Sequence, residues 1–350
     1  MRHRRETGPR FRGRWVLGVA TLAVIVLAGA GTLVAIGTAR ATPQQPAAAG
    51  AEDRTAAASR AATPMTTQAV GDGAQRATLA YWTRARMAAA TLSQAGGRSS
   101  ASGKGGTSSR GGKQSKSGAP AGTPNPVTFS GVATVGPLFY TTGGGNHFCT
   151  ASVIASPAGS LVLTAAHCVY SSSGGYSKNL EFVPGYANGS EPDGVWTVKQ
   201  IFVATAWRTS ADPRLDVAFL QVVPPANSVG PIDIVTGGLK VAFGLPDAQR
   251  VTVIGYNNTS QQPIMCTTKA FRVMLDTMEF YCRGFWIGTS GGPWIIGYHS
   301  GSGTGTVYGI IGGYEAGGYD SWASYSPALE QPAQELFTQA NTAASAQPAT

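Results

Sequence analysis

Three short segments of this 350-residue chain hold side chains that could act together on a substrate. The first is Leu163-Thr164-Ala165-Ala166-His167-Cys168-Val169, an apolar run ending in small residues, an imidazole and a cysteine. Small residues before His167 let the ring sit at a strand end without crowding a bound molecule, and a disulfide at Cys168 would hold the turn. The second is Leu215-Asp216-Val217-Ala218-Phe219-Leu220, where an acid leads directly into an alternating strand. A carboxylate there is costly unless hydrogen-bonded, which suits Asp216 to accept an imidazole N–H. Asp212 competes for that role but precedes Pro213 and reads as a turn residue. The third is Gly288-Thr289-Ser290-Gly291-Gly292-Pro293-Trp294. A hydroxyl nucleophile needs a tight bend that exposes its Oγ and aims backbone N–H groups at the attacked carbonyl, and flanking glycines permit both. Each segment alone has an ordinary reading as a core imidazole, a strand-start acid or a glycine turn. His147 and His299 have nothing comparable around them and keep that reading.

The elements that would position these groups are short β-rich runs punctuated by Gly, Pro, Asn and Ser. Val132–Tyr140, Phe148–Ile154, Leu161–Ala165, Leu180–Val183, Val195–Val203 and Val217–Val223 form a first set. Val251–Tyr256, Met265–Thr268, Met278–Tyr281, Trp294–Ile296 and Val307–Ile311 form most of a second. Many short strands with no helical period between them predict an all-β sandwich or pair of barrels. A terminal helix is predicted over Pro327–Ala340, interrupted by Pro332, with a flexible tail over 341–350. Four cysteines, Cys149, Cys168, Cys266 and Cys282, contain no C-x-x-C pair, which disfavours zinc. An even count in an exported chain reads as two disulfides. Of three pairings the local one is simplest, Cys149–Cys168 and Cys266–Cys282, each closing a loop worth about 3 kcal/mol in chain-entropy terms.

Charge divides the chain in two. Residues 1–124 hold 17 Lys+Arg and 4 Asp+Glu, a net of +13; residues 125–350 hold 9 and 13, a net of −4. The basic balance therefore belongs to the N-terminal part, and the folded part has no cationic excess with which to neutralise nucleic acid. Arg2, Arg4, Arg5, Arg10, Arg12 and Arg14 precede 25 uncharged residues, Trp15 to Ala39, and Ala39-Arg40-Ala41 has the form of a cleavage site. Residues 1–41 are thus a signal peptide or a signal anchor, since residues 15–39 are long enough to span a bilayer; cleavage is favoured. Either way, the chain beyond residue 41 lies outside the cytoplasm, secreted or held at the outer face of the membrane. Residues 42–124 hold only Val70, Leu79 and Leu92 among Leu, Ile, Val and Phe, and are expected to be a disordered Ala/Gly/Ser-rich linker or pro-segment. One short amphipathic helix is expected within it, over Gln75–Leu92.

T-A-A-H-C, D-V-A-F-L and G-T-S-G-G-P, in that order, resemble the trypsin-like serine proteases, especially their exported bacterial branch, over Asn125 to Leu336. The order His, Asp, Ser excludes subtilisin-like and α/β-hydrolase arrangements. The resemblance implies two six-stranded antiparallel β-barrels within residues 125–340. His167 and Asp216 would come from the first, Ser290 from the second, with substrate in the cleft between them. It implies acyl transfer on polypeptides, with His167 as base, Asp216 as orienting acid and the amides of Gly288 and Ser290 as oxyanion hole. No metal or organic cofactor is needed, and the chain is expected to be a monomer. Family spacing puts Gly284 at the floor of the specificity pocket, with Phe285, Trp286 and Tyr314 as neighbours, which favours an apolar P1 side chain. Glu315 and Asp320 read as exposed loop acids, and Ile311 stands where a glutamate-selective pocket has His.

The match departs from the family at Thr289, where many relatives carry the Asp that pairs with an N-terminus created by activating cleavage. There is also no Ile-Val-Gly-Gly-like start between Val127 and Gly136. Other bonds must then hold the oxyanion loop. The competing reading is a catalytically silent binding or adhesion domain that kept the fold. The intact triad positions and the glycines around Ser290 favour activity.

Overall fold

A computed structural model describes residues 62–93 and 118–347. The export segment or anchor over residues 1–41 and most of the Gly/Ser-rich spacer lie outside the described residues. Among those described, no helix is long and apolar enough to cross a membrane.

In chain order the elements begin with β1 (Met65–Ala69), α1 (Asp72–Tyr81), α2 (Arg84–Ser93) and the short β2 (Val127–Thr128). Next are β3 (Val135–Thr142), β4 (Gly145–Ile154) and β5 (Leu161–Thr164), then a small hairpin of β6 (Tyr170–Ser171) and β7 (Gly175–Tyr176). β8 (Lys178–Phe182), β9 (Trp196–Ala204), α3 (Thr205–Ser210) and β10 (Ala218–Val223) complete the first half. After α4 (Ile232–Thr236) come β11 (Lys240–Val241), β12 (Ala248–Tyr256), β13 (Pro263–Met274) and β14 (Thr277–Tyr281). β15 (Pro293–His299), β16 (Thr304–Ile310), β17 (Ala323–Pro327) and α5 (Gln331–Ala346) close the sequence of elements.

The first sheet runs β9-β10-β5-β4-β3-β8, and β8 pairs back onto β9, so six antiparallel strands close into a barrel. Closure leaves no exposed strand edge within the ring. Its strands are rich in Val, Leu, Ile and Phe because their middles are buried on both faces: Phe148–Ile154 is covered throughout. The second sheet runs β11-β16-β15-β12-β13-β14-β17. Its ends return to each other at β16 and β17, joined there by Gly312 N–H to the Tyr325 carbonyl (3.0 Å) and Ile310 N–H to Ser326 Oγ (3.0 Å). β17, like the two-residue β2 and β11 of the same sheet, is a strand that the sequence pattern did not reveal. Its Ala-Ser-Tyr-Ser-Pro composition carries little apolar alternation, yet both serines are fully buried.

Residues 62–93 depart from the expected disorder. β1 pairs antiparallel with β9 from Met65↔Ala204 to Ala69↔Gln200, along the half of β9 that has diverged from β8. The single helix expected over Gln75–Leu92 is two, broken at Trp82-Thr83. The break serves the core. Trp82 is buried, tilted against Phe139 at 5.4 Å, and donates its indole N–H to the Asn179 carbonyl at 2.6 Å. Met87 and Ala90 are buried beside it, and Tyr81 donates to Asn146 Oδ1 at 2.6 Å. The residues that anchor this segment are therefore Met, Trp and Ala, not the branched aliphatics whose scarcity suggested disorder.

At the other end, Pro332 lies in the first turn of α5, where the missing N–H costs nothing, so it starts the helix instead of interrupting it. The helix continues through the expected tail to Ala346, with Ala340 and Ala344 buried.

Candidate active site

β5 ends at Thr164, and buried Ala165 and Ala166 turn the chain into one 3-10 turn, Ala166–Cys168. Cys168 is bonded to Cys149 of β4, which ties this turn to the neighbouring strand; a sulfur and an imidazole nitrogen of His167 lie within 4.8 Å of each other. The second bridge, Cys266–Cys282, joins β13 to the residue after β14, so both bridges adopt the local pairing.

Asp216 comes after a 3-10 turn, Pro213–Leu215, that puts it at the mouth of β10, fully buried. Three donors surround its carboxylate. Oδ1 accepts the His167 backbone N–H at 2.8 Å, while Oδ2 accepts His167 Nδ1 at 2.7 Å and the Gly313 N–H at 2.8 Å. These bonds are what make a buried carboxylate tolerable. Because an ionised carboxylate can only accept, Nδ1 carries the ring proton and Nε2 is left to act as a base. Burial of the ring opposes its charged form, but the field of Asp216 and the hydrogen bond to it outweigh burial and raise the imidazole above its ordinary range. Asp212 caps the preceding turn and grips Arg214 at 2.6 Å, as a turn residue would. His147 stacks on Tyr140 at 5.6 Å, and His299 sits exposed at the end of β15.

Ser290 lies half-buried in the loop between β14 and β15. Its carbonyl accepts the Thr150 N–H at 2.7 Å, and Thr150 Oγ1 donates to the Gly288 carbonyl at 2.9 Å. Thr150 belongs to β4, whose neighbour β5 leads into the turn that carries His167. The loop carrying the serine is therefore fastened to the barrel carrying the imidazole. Glycine is required by contact as well as torsion. A Cβ on Gly288 (φ +94°) would stand 2.2 Å from the Phe148 ring, and one on Gly291 (φ +80°) 2.2 Å from the Thr150 carbonyl oxygen. Gly312 is tight by contact alone, since a Cβ there would stand 3.1 Å from Asp216 Oδ2.

Buried Thr289 donates both its N–H (2.9 Å) and its Oγ1 (2.6 Å) to the Trp286 carbonyl. The amides of Gly291 and Gly292 donate to Ile311 and Thr289. Among the described residues, the amides of Gly288 and Ser290 donate to no acceptor. Thr150, Gly312 and Gly313 were not legible in the sequence, since nothing about a threonine after a cysteine or a glycine pair after a strand marks its distant partner.

The expected pocket residues are distributed unevenly. Gly284 (φ +83°) donates to the Ser321 carbonyl and accepts from Asn257 Nδ2 at 3.0 Å. Phe285 is buried and edge-on to Phe280 at 5.3 Å, in the core of the second sheet, so its ring packs inward. Trp286 and Ile287 are the exposed apolar side chains of that loop, and Tyr314 stands exposed, edge-on to Tyr325. Glu315 is exposed and Asp320 half-buried. An acid that the sequence did not single out, Glu279, lies behind Tyr325. Burial raises it above the usual carboxylate range, against hydrogen bonds from Tyr281 and Tyr325 that lower it.

The family model described as Trypsin matches residues 132–319, more than half of the chain. Among solved structures, protease Anisep from Arthrobacter nicotinovorans is 27% identical with a TM-score of 0.55, over 61% of this chain and 98% of that one. A thermostable serine protease from an extremophilic microorganism is 25% identical with a TM-score of 0.53, over 60% and 97%. A Glu endopeptidase, 16% identical with a TM-score of 0.51 over 63% and 98%, shares the fold. A comparison with curated protein sequences found no match. The matched span includes all three motifs, and the chain belongs to the trypsin family of serine endopeptidases.

Proposed function

We propose that the protein hydrolyses peptide bonds outside the cytoplasm through an acyl-enzyme, with Ser290 as nucleophile, His167 as general base and Asp216 as its orienting acid. The observation that carries this reading is the His167–Asp216 pair: a 2.7 Å bond from Nδ1 to a fully buried carboxylate that also accepts two backbone N–H groups. His167 Nε2 takes the Ser290 proton as Oγ attacks the scissile carbonyl, and Asp216 stabilises the imidazolium. The imidazolium returns that proton to the leaving amine, and water then releases the acyl group. The uncommitted amides of Gly288 and Ser290 are assigned to the developing oxyanion, a contribution of about 3–4 kcal/mol for a donor of this kind.

Thr289 bears on the silent-domain reading, which rested on the missing aspartate together with the long N-terminal tether. Its hydroxyl and amide hold the loop through Trp286, so a charged latch is unnecessary. The two disulfides accord with an oxidising compartment. We assign polypeptides as substrates and a monomer as the acting form. The test is labelling of the full chain with a fluorophosphonate. Reaction should be abolished in Ser290→Ala and slowed by orders of magnitude in His167→Ala. Labelling that persists without Ser290 would remove the assignment.

A further inference from the structure

Between the hairpin that follows His167 and the helix that precedes Asp216 lies a cation with no role in the chemistry above. The β6–β7 hairpin begins three residues after His167 and is fastened to its turn: Ser177 donates its N–H to the Val169 carbonyl (2.9 Å) and its hydroxyl to the Cys168 carbonyl (3.0 Å). The helix α3 lies just before Asp216, and Trp207 in it donates its indole N–H to the Tyr170 carbonyl at 3.3 Å. The two elements that lead from the histidine and into the aspartate therefore meet. Arg208 of α3 fills the junction, its guanidinium carbon 5.3 Å from the centroid of the Tyr170 ring and 5.5 Å from that of Tyr176. The two rings are edge-to-face at 5.0 Å.

Arg208 is held but not used. Among the described residues it meets no carboxylate within ion-pair distance, and its buried Nε has no hydrogen-bond partner. The Tyr176 hydroxyl is likewise buried and unpartnered. The other arginines near acids behave differently: Arg214 grips Asp212, and Arg272 grips Asp247 and Glu330. A half-buried guanidinium fixed against aromatic faces keeps its charge and its planar donors while losing little further entropy when a carboxylate arrives.

We propose that Arg208, framed by Tyr170 and Tyr176, is a specificity subsite that takes an acidic side chain of the polypeptide substrate, next to the scissile bond on the His167 side. The proposal rests on the endopeptidase reading and adds a substrate class to it. Arg208 lies outside the reacting groups and acts on recognition alone.

The test uses pairs of peptides that differ only by Glu or Gln at one position flanking the cleaved bond, scanned over the positions on both sides. At one position kcat/KM should be about 10-fold or more higher for Glu than for Gln in the wild type, the size expected of a charge-assisted hydrogen-bonded pair. That ratio should fall to about 1 in Arg208→Gln and shrink as salt is raised from about 0.05 M to about 1 M. A purely structural arginine would change both peptides alike and leave the ratio intact, which would overturn the proposal. So would a wild type with no Glu preference at any position. If Arg208→Gln fails to fold, judged by fluorophosphonate labelling of Ser290, the wild-type ratio and its salt dependence still decide. Cleavage of the Gln peptides that disappears in Ser290→Ala would keep the endopeptidase reading standing even where the subsite fails.

Discussion

At the scale of residues, the decisive quantity is the balance on His167. Burial works against its charge and Asp216 works for it, and Asp216 wins. The base is active only when neutral, so kcat/KM should rise with pH to a plateau, with a midpoint above the ordinary 6.5. Asp216→Asn should lower that midpoint and reduce the rate by about 10⁴-fold, read from pH–rate profiles of the two proteins. Thr289 offers a second measurement. Thr289→Val keeps the shape and removes the 2.6 Å bond to Trp286, leaving one donor in place of two on that carbonyl. It should lower kcat more than it raises KM, and lower stability by about 1 kcal/mol in urea unfolding. His167, Asp216 and Ser290, the residues proposed for catalysis, stood out in the sequence because each sits in a local pattern whose chemistry is written in its neighbours. Thr150 was not, because its partners Ser290 and Gly288 are about 140 residues away and a threonine in a strand has many ordinary uses. Phe285 shows the converse: its position beside Gly284 suggested a pocket wall, but the ring is needed against Phe280.

At the scale of elements, the strands of the first barrel were legible from alternation and turn residues, with ends shifted by a few positions. The pattern failed at β1, where disorder was expected from the lack of branched aliphatics, and it read α1 and α2 as one helix within a disordered segment. What stabilises that segment is a backbone ladder onto β9 and one large aromatic, and neither leaves a periodic trace. Trp82→Ala should therefore cost about 3–5 kcal/mol, as loss of a large buried aromatic does, and should increase protease nicking between residues 62 and 93. β8 holds a second device, Glu181, buried in its strand with Oε1 unpartnered. Burial, with Glu191 nearby, pushes its carboxyl from an ordinary 4.5 to about 9, so the folded protein holds a proton that the unfolded chain releases. The associated stability is fully present below about pH 4.5 and lost as pH rises through about 9. Glu181→Gln should raise Tm at pH 8 and leave it nearly unchanged near pH 4.5, measured by thermal unfolding at both.

At the scale of the whole molecule, the resemblance to the trypsin-like proteases implied two β-rich halves, and the fold supplies both. The extent of the domain was harder to read. The family match stops at residue 319, whereas burial continues to Ala344. Gln221, fully buried on β10, donates its side-chain amide to the carbonyls of Ala344 and Gln347. A chain ended after Ala340 would leave that amide without acceptors, and its denaturation midpoint should fall by about 1–3 kcal/mol in equivalent free energy. The same helix reaches the far end of the described chain: the Thr63 amide donates to Glu335 Oε2 and the Thr63 carbonyl accepts from Gln339. This knot has a bearing on when the enzyme comes into being. A ribosome makes residue 63 long before residue 335, so β1 can pair with β9 early, whereas the Thr63 bonds to α5 form only after nearly everything else has emerged. The six-stranded ring can close without them, but the strap formed by the first described residues is locked against α5 only once synthesis has passed that helix.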